Sequence, residues 1–91
     1  MARPIMTVLD ILGRRWSLRI LWELRKEPLT FRALRERCDD VSPSVLNDRL
    51  GELRELHVID AGEHGYALTK SGERLGDILM DLHRWSENAL K

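Results

Sequence analysis

The sequence predicts a mainly helical α+β fold that carries one small β-hairpin, and three observations support this. Apolar residues recur at helical spacing in five segments of the chain. Two short β-prone runs flank a Gly-Glu-His-Gly turn. The chain has 91 residues, 43% of them hydrophobic, which is enough for one compact core. We therefore expect residues 1–91 to form a single domain.

The first two predicted helices lie on either side of Gly13, which ends the first one. The apolar face of the first helix consists of Ile5, Val8, Leu9 and Leu12. The second helix runs from Arg15 and ends before Pro28. Its inward positions are Trp16, Ile20, Leu21 and Leu24, and its outward positions are Arg15, Arg19, Arg25 and Lys26.

A short helix, a tight turn and a longer helix come next. The short helix begins at about Thr30 or Phe31, and the Asp-Asp-Val segment makes the turn. Its apolar positions are Phe31, Leu34 and Cys38. The longer helix begins after Ser42, a favourable N-cap, and Pro43 occupies the first helical position, where a missing N–H costs nothing. Its buried face is predicted to contain Leu46, Leu50 and Leu53.

The last third of the chain predicts a hairpin and a terminal helix. The β-prone runs 58–61 and 66–69 flank the turn, which is a hairpin signal. The terminal helix carries a continuous apolar stripe. The stripe consists of Leu75, Ile78, Leu79, Leu82, Trp85 and Ala89.

This order of elements is that of a winged helix-turn-helix. The helix-turn-helix is expected at about residues 30–56, the wing at about 58–69 and a C-terminal dimerisation helix at about 70–90. In such a fold the second helix of the pair lies in the major groove of DNA. We expect it to be the DNA-reading element here.

The outer face of that helix supports DNA contact. At 100° per residue, Ser44, Asp48 and Gly51 fall opposite the leucine face, and Asn47 lies on its flank. Ser and Asn can donate and accept hydrogen bonds at base edges, and Gly51 lets the helix approach closely. A solvated amphipathic helix would contain the same residues, so the order of elements is the stronger argument.

Charge is unevenly distributed although the formal net charge is zero. Residues 1–38 contain nine Arg and Lys against four Asp and Glu, whereas residues 39–91 contain six against eleven. A basic surface can be hidden inside a neutral total, although solvated helix faces give the same distribution.

Four segments, taken in order, resemble one family. The first, "LDILGRRWSLRILWEL", contains a glycine, a basic residue and a tryptophan followed by an Ile-Leu pair. The second, "LTFRALRERCDDVSPSVLNDRLGELRELHVI", has Phe-x-x-Leu, then Ser, Leu, Arg-Leu and Glu-Leu, and ends in a short apolar strand. The third, "YALTKSGERL", has the pattern Tyr-x-Leu-Thr-x-x-Gly at the entry to the last helix, and the fourth feature is the late Trp85. Together they resemble the HxlR-type winged-helix regulators of the MarR-like superfamily, which are small prokaryotic transcription factors. The resemblance implies a sequence-specific transcriptional regulator, here expected to be a repressor, that binds an inverted-repeat operator as a homodimer.

Three departures from the family pattern matter for mechanism. The family commonly has Cys-Pro near its start, and in some members that cysteine senses electrophiles or oxidants. Arg3-Pro4 stands there in this chain, so that mechanism is not implied, and Cys38 is expected in the core. His57 replaces the usual glycine after the longer helix, where a left-handed cap would cost roughly 1 kcal/mol. The wing is short, and its tip carries Glu63 and His64 in place of basic residues, which weakens the case for a wing contact.

Site residues follow from these patterns. The predicted DNA-binding residues are Arg32, Arg35, Ser42, Pro43, Ser44, Asn47, Asp48 and Arg49. Ser42 is also expected to cap the DNA-reading helix. Base contacts are expected from Pro43, Ser44, Asn47 and Asp48 or Arg49, and phosphate contacts from Arg32 and Arg35. Two roles stay open for Arg49, namely an internal pair or a phosphate contact. For Asp48 a pair with a nearby Arg is favoured over a cytosine contact. Arg14 and Arg15, at the start of a predicted helix, are either solvated or functional.

The two outer helices are expected to form a homodimer interface. Its predicted residues are Ile5, Val8, Leu9, Leu12, Ile78, Leu82 and Trp85. Trp16 and Trp22 are assigned to the core. Any signal would act through a small-molecule effector near these helices or through expression level.

Other classes of function find little support in the sequence. The cysteine and histidines lack metal-ligand spacing, and no phosphate-binding loop or nucleophile motif is present, so we expect no catalysis, metal or cofactor. We find no bilayer-length apolar run and no secretion signal, and we expect a soluble cytoplasmic protein without a membrane partner. The rival hypothesis is a winged-helix protein-interaction module that never binds DNA, which the neutral charge and acidic wing favour.

Overall fold

Residues 3–91 are described by a computed structural model and form five α-helices and one two-stranded antiparallel sheet. The elements are α1 (Pro4–Leu12), α2 (Ser17–Glu23), α3 (Phe31–Arg37), α4 (Pro43–Glu55), β1 (Ile59–Gly62), β2 (Gly65–Leu68) and α5 (Lys70–Ala89). The predicted mainly helical class with a hairpin wing is confirmed. No helix within residues 3–91 is long and apolar enough to cross a bilayer.

The core lies where α2, α3 and α4 meet. The predicted leucine face of α4 is confirmed, because Leu46, Leu50 and Leu53 are at most 1% exposed. Ile20 from α2 and Leu34 from α3 are fully buried against the same core. This packing fixes the rotation of α4, since its three buried leucines define a single inward face.

The turn before α2 differs from the prediction. Trp16 adopts a left-handed backbone conformation (φ 78°), so α2 begins at Ser17 and not at Arg15. Arg14 and Arg15 therefore lie in a turn between α1 and α2 and not inside a helix. Trp16, assigned to the core, is only half-buried beside it.

Arg25 was predicted to point outward, and this prediction is wrong. Its guanidinium carbon lies 3.7 Å from the centre of the Trp22 ring, and Nη1 donates to Sδ of Met80 at 3.2 Å. The cation covers the face of a half-buried tryptophan and joins α2 to α5. A helical-wheel argument missed this because a long side chain can fold back over its neighbours.

β1 and β2 form the wing, with Ile59 opposite Leu68 and Gly62 opposite Gly65. A third segment, not predicted from the sequence, pairs with it: Leu29 exchanges two backbone hydrogen bonds with Tyr66, at 3.0 and 2.8 Å. Gly65 permits this contact, because a Cβ there would lie 2.5 Å from the Leu29 carbonyl oxygen and its φ is +105°. The wing is thereby tied to the segment just before α3.

α1 and α5 lie at the outside of the fold. No residue of α1 is buried, whereas α5 buries Gly72, Gly76 and Leu79. Gly72 rests directly against the carbonyl group of Val58, where a Cβ could not fit. Close packing of the α5 N-terminus against the strand entry thus requires glycine at position 72.

Candidate nucleic-acid interface

Both helices of the helix-turn-helix begin at capped N-termini. Thr30 Oγ1 accepts a hydrogen bond from the backbone N–H of Ala33 at 3.1 Å, and Ser42 Oγ accepts from that of Val45 at 3.3 Å. Each cap satisfies an N–H group that has no partner inside the helix. The predicted role of Ser42 as N-cap of α4, with Pro43 at the first helical position, agrees with this geometry.

The turn between these helices is closed by an arginine. Asp39 and Asp40 both have positive φ, at 57° and 56°, which reverses the chain within a few residues. Arg35 Nε donates to the carbonyl oxygen of Val41 at 2.7 Å, and its Nη2 lies 3.5 Å from that of Asp40. Part of the Arg35 guanidinium therefore holds the turn that orients α4.

The outer face of α4 is open to a partner. Ser44, Asn47 and Asp48 are exposed, and within residues 3–91 their side chains make no hydrogen bond or ion pair. The favoured pair between Asp48 and an arginine is therefore not found in this part of the chain. A Cβ at Gly51 would meet nothing within 4 Å, so the helix presents bare backbone there. These side chains keep their full hydrogen-bonding capacity for a molecule outside the fold.

Arg32 is the most accessible of the arginines selected from the sequence. Its side chain is 92% exposed, and Nε lies 3.5 Å from Glu36 one turn along α3. Ion pairs of this kind on an exposed helix surface contribute little free energy. The guanidinium of Arg32 can exchange this carboxylate for a stronger anionic partner at small cost.

Arg49 is engaged inside the protein. Its Nε donates to the backbone carbonyl oxygen of Arg15 at 2.9 Å, and Nη1 donates to Oε1 of Glu52 at 2.9 Å. The second oxygen of Glu52 pairs with Arg14. These contacts tie α4 to the turn between α1 and α2, and sequence patterns could not reveal them because the partners lie 34 and 38 residues apart.

The other flank of α4 faces the wing across an open cleft of about 410 Å³. Its lining includes Arg54, Glu55 and Asp60, and the closest approach of Arg54 to Asp60 is 3.8 Å. His57 follows α4 with φ 62°, so a residue other than glycine adopts the left-handed conformation after this helix. With Glu63 exposed at the tip, this flank is mainly acidic.

Cys38 lies in the core, as predicted. It is fully buried at the end of α3, and burial raises the pKa of its thiol. The thiolate is the reactive form of cysteine, so both effects make this side chain inert. No group of three or more His, Cys, Asp or Glu side chains within the described chain is placed to hold a metal ion.

Large apolar side chains cover the outer faces of α1 and α5. Of the predicted interface residues, Ile5, Leu9, Ile78, Leu82 and Trp85 are each more than half exposed, and Val8 and Leu12 are half-buried. Met6, Leu18 and Leu90 are also exposed and were not selected from the sequence. Exposed apolar side chains therefore gather on the two outer helices, as the predicted interface requires.

Comparisons with known proteins agree with this geometry. The family description "HxlR-like helix-turn-helix" matches residues 11–91. An HTH-type transcriptional regulator of Methanocaldococcus jannaschii is 26% identical over 84 residues, which cover 88% of this chain and 79% of that protein. Among solved structures, quinone-bound YodB from B. subtilis superposes with a TM-score of 0.83 and 25% identity, covering 92% of this chain and 96% of YodB.

A MarR-family protein from Porphyromonas gingivalis shares the fold, with a TM-score of 0.79 at 18% identity over 96% of this chain and 95% of that one. The family match spans most of the chain, from the end of α1 to the last residue. It includes the capped helix pair, the wing and α5. The chain therefore belongs to the HxlR-like helix-turn-helix family of DNA-binding transcriptional regulators.

Proposed function

We propose that this protein is a cytoplasmic repressor that binds an inverted-repeat DNA operator as a homodimer. One observation carries the proposal: the N-terminal half of α4 is capped, fixed in rotation by buried leucines, and covered on its outer face by exposed, unpaired polar side chains. These side chains are hydrated in the free protein and can exchange hydrogen bonds to water for hydrogen bonds to base edges in the major groove.

The side chains divide into two groups. Pro43, Ser44, Asn47 and Asp48 are proposed to face the bases, because they follow the cap at Ser42 and lie on or beside the open face of α4. Arg32 and Arg35 are proposed to contact phosphates from α3, the helix that crosses the backbone in this motif. Arg35 contributes with the part of its guanidinium that the turn leaves free.

The apolar faces of α1 and α5 support a homodimer. In a two-fold pair, Ile78, Leu82 and Trp85 would be buried against a second copy, and Trp85 would be the anchor. The two α4 helices would then read successive major grooves, roughly 34 Å apart. Sedimentation at micromolar concentration should give twice the chain mass of 10.6 kDa. A monomer in that experiment would contradict the proposal.

Selection from a random pool of duplexes tests DNA binding directly. We expect retained sequences to share an inverted repeat, and transcription from a promoter that carries it to rise when the protein is absent. The rival function, a protein-interaction module, is favoured by the acidic wing flank and the neutral net charge. If no duplex is retained at low salt, that rival becomes the better account.

Regulation is proposed to act through a small-molecule effector near α1 and α5, or through expression level, and not through thiol oxidation. YodB is known in a quinone-bound form. In this chain the thiol is buried and its pKa is raised, and Arg3 stands at the position of the family's N-terminal cysteine. A mild oxidant should leave DNA affinity unchanged. Loss of affinity that Cys38→Ser prevents would overturn this part of the proposal.

A further inference from the structure

The two flanks of α4 differ in charge. Any helix seated in the major groove has one phosphate backbone on each side. The wing flank carries Glu55, Asp60 and Glu63, and Arg54 lies near one of these carboxylates. The opposite flank is bordered by the turn of residues 13–16, hereafter the arginine turn, which carries Arg14 and Arg15.

Hydrogen bonding fixes the arginine turn beside the middle of α4. Arg49 Nε donates to the Arg15 carbonyl oxygen at 2.9 Å, and the ion pair between Arg14 and Glu52 makes a second link. Glu52, a carboxylate on this flank, also accepts from Arg49 Nη1. Its negative charge is thus matched by two guanidinium groups, which leaves the flank positive overall.

Arg15 is the unmatched cation of the arginine turn. Its side chain is exposed and makes no hydrogen bond or ion pair with residues 3–91. Its guanidinium carbon lies 5.3 Å from the centre of the Trp16 ring, which steadies the side chain without neutralising it. The left-handed conformation of Trp16 keeps Arg15 out of α2 and on the turn.

We propose that Arg15 binds a DNA phosphate on the flank of α4 that faces away from the wing, and that Arg49 is a positioning residue that holds the Arg15 backbone there. This inference rests on the proposed DNA-binding function. It places phosphate binding on the arginine turn, opposite the wing flank, where carboxylates would repel the other backbone.

The salt dependence of affinity tests the proposal on the full chain, with the duplex obtained by selection and an unrelated duplex. Arg15→Gln should weaken binding to both duplexes alike and lower the slope of log affinity against log salt by about one per subunit. Lys26→Gln is the matched control, because it removes an exposed positive charge that lies outside α4 and the arginine turn and leaves both links of the turn intact. Its slope should equal that of the wild type.

A slope for Arg15→Gln equal to the wild-type slope overturns the proposal while leaving the DNA-binding function standing. Failure of the wild type to bind any duplex overturns the proposed function itself, so the two failures are distinguishable. A loss of slope in Lys26→Gln as large as in Arg15→Gln would mean that general charge, and not Arg15, is responsible.

The positioning role is tested by combining substitutions. Arg49→Gln should lower the slope in the wild-type background, because the arginine turn is released, and should not lower it further when Arg15→Gln is already present. Thermal unfolding of each variant confirms that it is folded before its slope is measured. A further drop of about one per subunit in the double variant would show that Arg49 contacts phosphate itself and contradict its positioning role.

Discussion

The hydroxyl of Thr69 donates a hydrogen bond to the backbone carbonyl oxygen of His57 at 2.7 Å. Oγ1 of Thr69 also caps α5 by accepting a hydrogen bond from the backbone N–H of Gly72 at 3.0 Å. One side chain therefore joins the end of α4 to the start of α5. This explains in physical terms why threonine and glycine stand three residues apart in the Leu-Thr-x-x-Gly segment.

Thr69→Ala should lower the free energy of unfolding by about 1–2 kcal/mol, because it removes the helix cap and the bond to His57 together. Thr69→Ser keeps the hydroxyl and should retain most of the stability. Urea unfolding of the two variants measures the difference. Equal losses in both would mean that the methyl group, and not the hydroxyl, is responsible.

Two glycines of α5 should respond oppositely to alanine. Gly72→Ala places a Cβ against the Val58 carbonyl group and should lower the free energy of unfolding by about 3 kcal/mol, the upper end of the range for overpacked substitutions. At Gly76 the nearest atoms to an added Cβ, on Arg25 and Leu68, are 3.7 Å away. Gly76→Ala should therefore stabilise the protein by up to about 1 kcal/mol through helix propensity. Thermal melts that rank the two variants in the reverse order would contradict this packing.

His57→Gly should raise the free energy of unfolding by roughly 1 kcal/mol, because glycine adopts the left-handed cap of α4 without steric cost. The His57 side chain is exposed, so little packing is lost. His57→Ala is the control, since it keeps the Cβ and should bring no such gain. A lower midpoint of urea unfolding for the glycine variant would show that the imidazole contributes more than the strain costs.

Base reading and phosphate binding should separate in two variants. Asn47→Ala should relax preference at one or two base pairs, worth roughly 1–3 kcal/mol of discrimination, and keep the salt slope. Arg32→Ala should weaken all sequences alike and lower the slope by about one per subunit. Arg32 suits this test better than Arg35, whose removal would also loosen the turn before α4. Identical behaviour of the two variants would contradict the division into base and phosphate contacts.

Glu23 makes stability depend on pH. Burial on its own raises the pKa of this carboxyl, but hydrogen bonds from Arg19 and Arg37 outweigh it and hold the pKa below its ordinary value. The stabilisation is therefore present above about pH 4.3, the ordinary value for an unfolded chain, and is lost as pH falls through the lower folded pKa. The stability difference between wild type and Glu23→Gln should shrink in that acidic range.

Glu63→Gln, at the exposed wing tip, is the matched control for this pH series. Within residues 3–91 its carboxylate has no ion pair, so it should show no such difference at any pH. Chemical unfolding at several pH values between 3 and 7 (a range spanning the ordinary pKa of about 4.3) makes the comparison. A constant gap between wild type and Glu23→Gln across the series would contradict the role of the ion pairs.

Periodicity and capping signals in the sequence predicted the structural features that depend on residues close together in the chain. The start of α3 at Phe31, the cap at Ser42 and the leucine face of α4 are local features, and the structure has them where the pattern placed them. The start of α2 was misplaced, because no propensity indicates a left-handed tryptophan. A rule based on helical spacing extends a helix through any residue that fits its apolar face.

Contacts between distant segments could not be predicted in this way. The Arg49 bond to the Arg15 carbonyl and the Arg25 contact with Met80 join residues 34 and 55 positions apart. Arginine has a long side chain with five N–H donors, so its sequence position says little about which acceptor it reaches. The open outer face of α4, in contrast, depends only on the helix and its rotation, and both were predictable.

The pairing of Leu29 with Tyr66 has a consequence for folding kinetics. These residues enclose the whole helix-turn-helix, so their two hydrogen bonds form only when 36 intervening residues have been ordered or looped out. Helices form early in folding because their contacts are local, whereas a pairing between distant residues forms late. The Leu29–Tyr66 hydrogen bonds are therefore expected only in the fully folded protein. We expect the amide protons of Leu29 and Tyr66 to exchange with solvent only through global unfolding, whereas those of α1 exchange through local fraying.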